Sequence, residues 1–238
     1  MKEFFLRVRP QFKKSRYLKK AAAGAQSFTS YEKKMLLPSL AIEQKLWQSG
    51  YKFVAGIDEV GRGSWAGPLV VAAVILPIDF KIPQGLADSK LIKHKKRVSL
   101  AKIIKDKAIS WQVVEISPRR IDKIKMAKAT HEAFRRVAKS LSIKPDFCLI
   151  DAFYIKHFAK NRQQAVKNGD KICASIAAAS IIAKVYRDNL MRRVHFKYPI
   201  YGFAKHKGYG TKFHQDAIRK FGFCQIHRMS YDLNYLVA

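Results

Sequence analysis

Apolar and polar residues follow two rhythms along this chain. From Ser39 to Gly50 the apolar positions recur at helical spacing and stop at a glycine, which predicts a short helix. The rhythm then shortens. Phe53 to Asp58 reads as a short strand ending in charge and glycine, Leu69 to Leu76 as a fully buried strand, and Trp111 to Ile116 as a third. A long amphipathic helix opens near Pro118 or Asp122 and runs to about Leu141. Phe147 to Asp151, after Pro145, is another buried strand with an acid at its end. Ile176 to Met191 returns to helical spacing and sets Ser180, Lys184, Arg187 and Asp188 on one polar face. Beyond His195 the chain is aromatic and basic, with a glycine-rich turn at Gly208–Gly210 ahead of a further helix. Strands that first cluster and then alternate with helices predict an α/β layered fold ending in a helical region.

Charge changes the picture more than composition does. Of 238 residues, 48% are apolar, enough for a sizeable core and too many for wholesale disorder. Lys and Arg number 47 against 17 acids, a formal charge of +30 that calls for a polyanionic partner, nucleic acid first. The longest uninterrupted apolar run, Leu69 to Leu76, is eight residues, far short of a membrane span. The first residues carry Lys2, Glu3, Arg7 and Arg9 with no apolar segment, unlike a secretory signal, so a soluble, cytoplasmic protein is expected. Cys148, Cys173 and Cys224 are too few and too scattered for a disulfide framework or a zinc ribbon, and the first two read as core residues. Residues 1–34 hold ten bases and two acids. We read residues 1–45 as a basic, partly flexible extension and 46–238 as the main domain, ending in a helical part.

With acids so scarce, those in apolar settings stand out. Asp58–Glu59 is the one adjacent acid pair in the chain and closes a buried strand; Asp151 closes another. In open α/β sheets the functional crevice lies beyond the carboxyl ends of strands, where these side chains can converge. Gathered carboxylates suit Mg²⁺ or Mn²⁺ and repel one another without it. The plainer alternative is that each acid caps a turn or pairs with a lysine. Gly61–Arg62–Gly63 follows at once, with Gly67–Pro68 beyond. That spacing is one residue too long for a dinucleotide fingerprint and fits a tight loop bringing Arg62 and backbone amides to a phosphate or sugar, or an ordinary turn.

The run from Gly56 to Pro68, GIDEVGRGSWAGP, resembles the signature of ribonuclease HII. Further blocks follow in the same order: Asp88–Ser89–Lys90, Ile150–Asp151, Gly169–Asp170, SIAAASIIAKVYRD from Ser175 to Asp188, and KHKGYGT from Lys205 to Thr211. Together they span about residues 52–228. The first 45 residues fall outside and are short for the extra N-terminal domain of the sister ribonuclease HIII group. The resemblance implies a ribonuclease H-like core, a central mixed β-sheet flanked by helices. It implies an enzyme, acting as a monomer, that hydrolyses the RNA strand of RNA–DNA hybrids and incises duplex DNA 5′ of embedded ribonucleotides. The expected products are 5′-phosphate and 3′-hydroxyl ends, and the expected role is ribonucleotide removal in DNA replication and repair.

The same resemblance carries the metal-binding acids over as Asp58, Glu59, Asp151 and Asp170, holding two Mg²⁺ or Mn²⁺ ions. Asp188 is the competitor for fourth place, unless it pairs with Lys184. Ser89 and Lys90 would hold a neighbouring phosphate. Gly61, Arg62, Gly63 and Tyr209 resemble the elements that sense the ribose 2′-hydroxyl, and Lys207 is a further substrate-binding residue. Where the family often has glycine after the third acid, this chain has Ala152. His206 and His214 are expected on the substrate face, nearer phosphate than metal, or at the surface. A non-catalytic RNA-binding or ribosomal protein would explain the charge but not the acid pair. A junction resolvase would share the acids but not the glycine-rich blocks.

Overall fold

Antiparallel pairing joins β1 (Val54–Val60) to β2 (Leu69–Ile75) and β2 to β3 (Ser110–Ile116); β4 (Phe147–Asp151) and β5 (Gln163–Val166) add in parallel on the other side of β1. The sheet order is β3-β2-β1-β4-β5. The structure is a computed structural model, and it describes residues 37–87, 89, 90 and 92–237. The basic stretch read from residues 1–34 and the motif residue Asp88 lie outside the described residues.

All seven residues of β2 are buried, because both faces of the sheet are covered. Ala55, Ile57, Val71 and Ala73 pack against Ala129, Ala133, Phe134 and Val137 of α3 (Pro118–Ser140). Val70, Ala72 and Val74 face the other way, onto α2 (His94–Lys107) and the small residues of α5 (Ala174–Lys197). Gly56 is what allows α5 to lie so close: a Cβ there would stand 2.1 Å from the Ser175 carbonyl carbon. Alternation along β1 then turns Asp58 to the side of Ser180 on α5.

Two elements differ from the expectation. The long helix α3 breaks at Lys125, which adopts φ +66° and ψ 157°. Its first segment is tied to the C-terminal region, where the Asp122 carboxylate accepts from the Met229 and Ser230 amides (3.1 and 2.8 Å). The second segment follows the sheet instead. The unit that holds the sheet begins at Leu36, so α1 (Ala41–Gln48) belongs with it rather than with the extension. Glu43 of α1 is fully buried and accepts from the Ser175 amide (2.7 Å), capping α5. After α5 come two shorter helices, α6 (Phe203–His206) and α7 (Lys212–Phe221), around Phe203, Tyr201 and Ile218. No helix among the described residues is long and apolar enough to cross a membrane.

Candidate active site

One cavity of about 430 Å³ opens at the carboxyl ends of β1 and β4. Asp58, Glu59, Asp151 and Asp170 all line it, with Gly61, Arg62, Gly63, Ser89, Lys90 and Tyr209. Ser180 and Lys184 of α5 line it too. Asp170 arrives on a single helical turn, α4 (Gly169–Ile172), after β5 has returned parallel to β4. The Gly169 amide donates to Asp151 Oδ1 (2.7 Å), which fixes the third acid beside the fourth.

The electrostatics are those of carboxylates short of positive charge. Burial holds Asp58 well above the usual carboxylate range; Glu59 and Asp151 add to the rise, while Ser180 hydrogen-bonds to it and opposes. Burial pushes Glu59 up to about 7, against the pull of Arg62 and with the push of Asp151. Glu59 Oε2 is buried with no hydrogen-bond partner. An anionic oxygen left in that state, among three more carboxylates, fits a hard divalent cation. Among the described residues no three His, Cys, Asp or Glu side chains already form a closed ligand set, so an ion would have to draw the carboxylates in. Lys90, with Nζ 3.9 Å from Asp170 Oδ2, is the nearby cation, its side chain 77% exposed.

Asp188 takes another job. Lys184 Nζ lies 2.8 Å from its Oδ1 and Arg97 Nη1 3.4 Å from its Oδ2, and it does not line the cavity. Arg97 continues to the carbonyls of Ser89 and Ile92 (2.7 and 2.6 Å), pinning the loop that carries Ser89 and Lys90. Ser89 Oγ is buried and bonded to Ser180 Oγ (3.0 Å), which in turn hydrogen-bonds to Asp58. Lys207 does not line the cavity either: its ammonium donates to the carbonyls of Ala204 and Lys205 and caps α6.

The two glycine-rich loops meet. Trp65 N donates to the Gly208 carbonyl (2.8 Å), and beneath them lies Arg187, fully buried rather than on a solvated helix face. Arg187 donates to the carbonyls of Pro68, Ala66 and Lys207 and to Ser64 Oγ, at 3.0, 3.1, 2.9 and 2.6 Å. Gly61, at φ +91°, leaves room for it; a Cβ would lie 2.1 Å from Arg187 Nε. Arg228, also buried, donates to the carbonyls of Arg62 and Gly67 (2.9 and 3.0 Å). The Arg62 guanidinium sits 4.5 Å from the Phe153 ring centroid, and Tyr209 keeps 38% of its surface exposed. His214 is not at the surface: it is wholly buried, because its ring is hydrogen-bonded on both nitrogens and packed on Phe203. His206 is half-buried, its Nε2 2.6 Å from the Tyr201 carbonyl.

The ribonuclease HII family profile matches residues 55–234. A ribonuclease HII of Acetivibrio thermocellus is 46% identical over 209 residues, covering 87% of this chain and 81% of its own. That of Chlamydia caviae is 45% identical over 201 residues, covering 84% of this chain and 93% of its own. Among solved structures, ribonuclease H2 from Pyrococcus horikoshii superposes with a TM-score of 0.65 at 26% identity, over 77% of this chain and 96% of that one. The mixed sheet flanked by helices is therefore the ribonuclease H type, and the chain belongs to the ribonuclease HII family.

Proposed function

We propose that this ribonuclease H endonuclease hydrolyses the RNA strand of RNA–DNA hybrids, and incises duplex DNA 5′ of embedded ribonucleotides, by a two-metal-ion mechanism. The observation that carries the reading is four carboxylates around one cavity in a chain of charge +30. Asp58, Glu59, Asp151 and Asp170 would hold the ions. When bound there, two Mg²⁺ or Mn²⁺ ions would supply Lewis acidity for water attack and for departure of the 3′ oxygen, so that the ends would be 5′-phosphate and 3′-hydroxyl.

The chain's own groups do the rest. Lys90 neutralises phosphate beside Asp170, and Lys184 adds positive charge at the cavity wall. Arg62, with its carbonyl held by Arg228, is fixed to meet the backbone next to the scissile bond. Tyr209 stacks on the sugar whose 2′-hydroxyl marks RNA. The working form is a monomer, and the cellular role is ribonucleotide removal in replication and repair. The test is a labelled DNA duplex carrying one ribonucleotide, incubated with Mg²⁺, with Mn²⁺ and with chelator. Incision at the ribonucleotide with either metal, and none with chelator, is expected. Cleavage in chelator, or none with either metal, overturns the mechanism.

A further inference from the structure

Below Tyr209 runs a chain of imidazoles whose proton positions the geometry dictates. The Cys224 amide, which can only donate, lies 2.8 Å from His227 Nδ1, closer than the Cys224 carbonyl at 3.2 Å, so that nitrogen is bare and the ring proton is on Nε2. His227 Nε2 lies 3.0 Å from His214 Nε2 and therefore donates to it. His214 then carries its proton on Nδ1, 3.0 Å from the Tyr209 carbonyl, which accepts it. A third ring, His206, stacks on His214 with centroids 4.6 Å apart and accepts from the Gly208 amide at Nδ1 (3.2 Å). The links through His227 and His214 run one way, from the Cys224 amide up to the Tyr209 carbonyl, while His206 takes its hydrogen bond from the loop itself.

We propose that His214 and His227 are positioning residues for substrate selection, holding the Tyr209 loop at the height from which its ring meets the ribose. The proposal rests on Tyr209 being the ring that stacks on that sugar. His227 is 2% exposed and His214 not at all, so neither touches nucleic acid. Burial pushes both down to about 4, which keeps both rings neutral under assay conditions, as the chain requires. With His214 protonated, two N–H groups would face each other across the 3.0 Å gap to His227; with His227 protonated, its Nδ1–H would face the Cys224 amide at 2.8 Å, and either way the chain would break. The held loop is also the one whose Gly208 carbonyl accepts from Trp65, so its height sets its register with Gly61–Arg62–Gly63.

The experiment compares kcat/KM on a duplex with one embedded ribonucleotide and on a continuous hybrid. Tyr209→Ala should cut the first about tenfold more than the second, because a hybrid offers many overlapping registers. His214→Leu should shift the ratio the same way. His214→Asn, whose amide can replace the Nδ1 donor, should restore it. In the double variant Tyr209→Ala/His214→Leu the ratio should be no worse than in Tyr209→Ala alone. Additive shifts would make His214 a general packing residue. If Tyr209→Ala leaves the ratio unchanged, the reading of Tyr209 falls and the proposal with it. If Tyr209→Ala shifts it and His214→Leu, folded, does not, only the positioning role falls. Nitrogen-15 spectra of the unaltered protein give a check that needs no variant: His214 must show a protonated Nδ1 and His227 a protonated Nε2. The opposite tautomers overturn the chain.

Discussion

Asp58 is buried beside Glu59 and Asp151, and its charge has no use in the fold alone. If the proposed metal site is right, Asp58→Asn or Asp151→Asn should abolish cleavage while leaving hybrid binding largely intact, since each would remove a charge that holds the metal and no phosphate contact. Turnover within tenfold of the unaltered enzyme in both would refute the assignment. Asp170→Asn should cripple turnover, whereas Asp188→Asn should act mainly on stability, because it leaves Arg97 and Lys184 without their partner. Kinetics and melting curves on both variants separate the two roles. Ala152, directly after the third acid, sits at φ +56°, a conformation glycine adopts without strain. Ala152→Gly should therefore cost little or add up to about 1 kcal/mol, with cleavage intact; a loss above that in urea denaturation would mean the methyl is needed. The acids are legible in sequence because charge at the end of an apolar strand is rare. The place of Arg187 is not. Helical spacing puts it beside Lys184 and Asp188, but spacing cannot show that carbonyls from two distant loops converge to bury it.

At the scale of elements, legibility follows burial contrast. β2 and β4 are plain as unbroken apolar runs, and α5 as a long helix whose sequence pattern misses its first two residues and its last six. α2 is invisible to such a reading, because HKKRVSLAKIIKDK is crowded with bases around the few residues, Leu100, Ala101 and Ile104, that meet the core. β5 is four residues, two of them glutamine, and pairing with β4 defines it. The break at Lys125 carries no glycine or proline to announce it. The C-terminal helices bring a prediction of their own. His214 and His227 have folded values near 4, below the ordinary 6.5, because burial disfavours their charged forms; His206 is lowered in the same direction. Around them stand Tyr201, Phe203, Cys224 and the Tyr209 backbone. Between pH 6.5 and 4 the unfolded chain binds protons that the folded one refuses. Stability is therefore complete above the ordinary histidine value and is lost as the pH falls toward the folded one, by roughly 3 kcal/mol for each ring. Melting temperatures measured from about pH 7.5 down to about pH 4.5 should fall accordingly. The fall should flatten in a His214→Gln/His227→Gln variant, and an equally steep fall there would assign the acid sensitivity elsewhere.

Across the whole molecule, residues 1–34 contribute +8 (ten bases less two acids) of the +30, yet the folded body starts at Leu36. Binding charge and folding can therefore be separated by where the chain is cut. Removing residues 1–34 takes away those bases but leaves α1 entire. If they meet phosphate, affinity for a hybrid should drop, and its log–log dependence on salt should become shallower by about 0.9 for each phosphate no longer neutralised. Neither the melting temperature nor the cleavage rate under saturating substrate should change. Cutting at residue 45 is different in kind. It removes Glu43, whose carboxylate caps α5 at the Ser175 amide, and Ile42, which packs with Leu46 and Trp47 against Val54, Phe147 and Ile176. Without that cap the fold is weaker by roughly 0.5–2 kcal/mol, and the exposed apolar surface adds to the deficit. In a body of this size that amounts to a melting temperature lower by about 5 °C or more. α5 also carries Ser180 and Lys184 into the active site, so a loosened N-terminal end should reduce turnover as well as stability. Fluorescence-anisotropy titrations at several salt concentrations, with thermal melts on the same two truncations, settle both points. An unchanged slope after removal of 1–34 means the arm does not touch nucleic acid, and an unchanged melting temperature after removal of 1–45 means α1 is not part of the enzyme's fold.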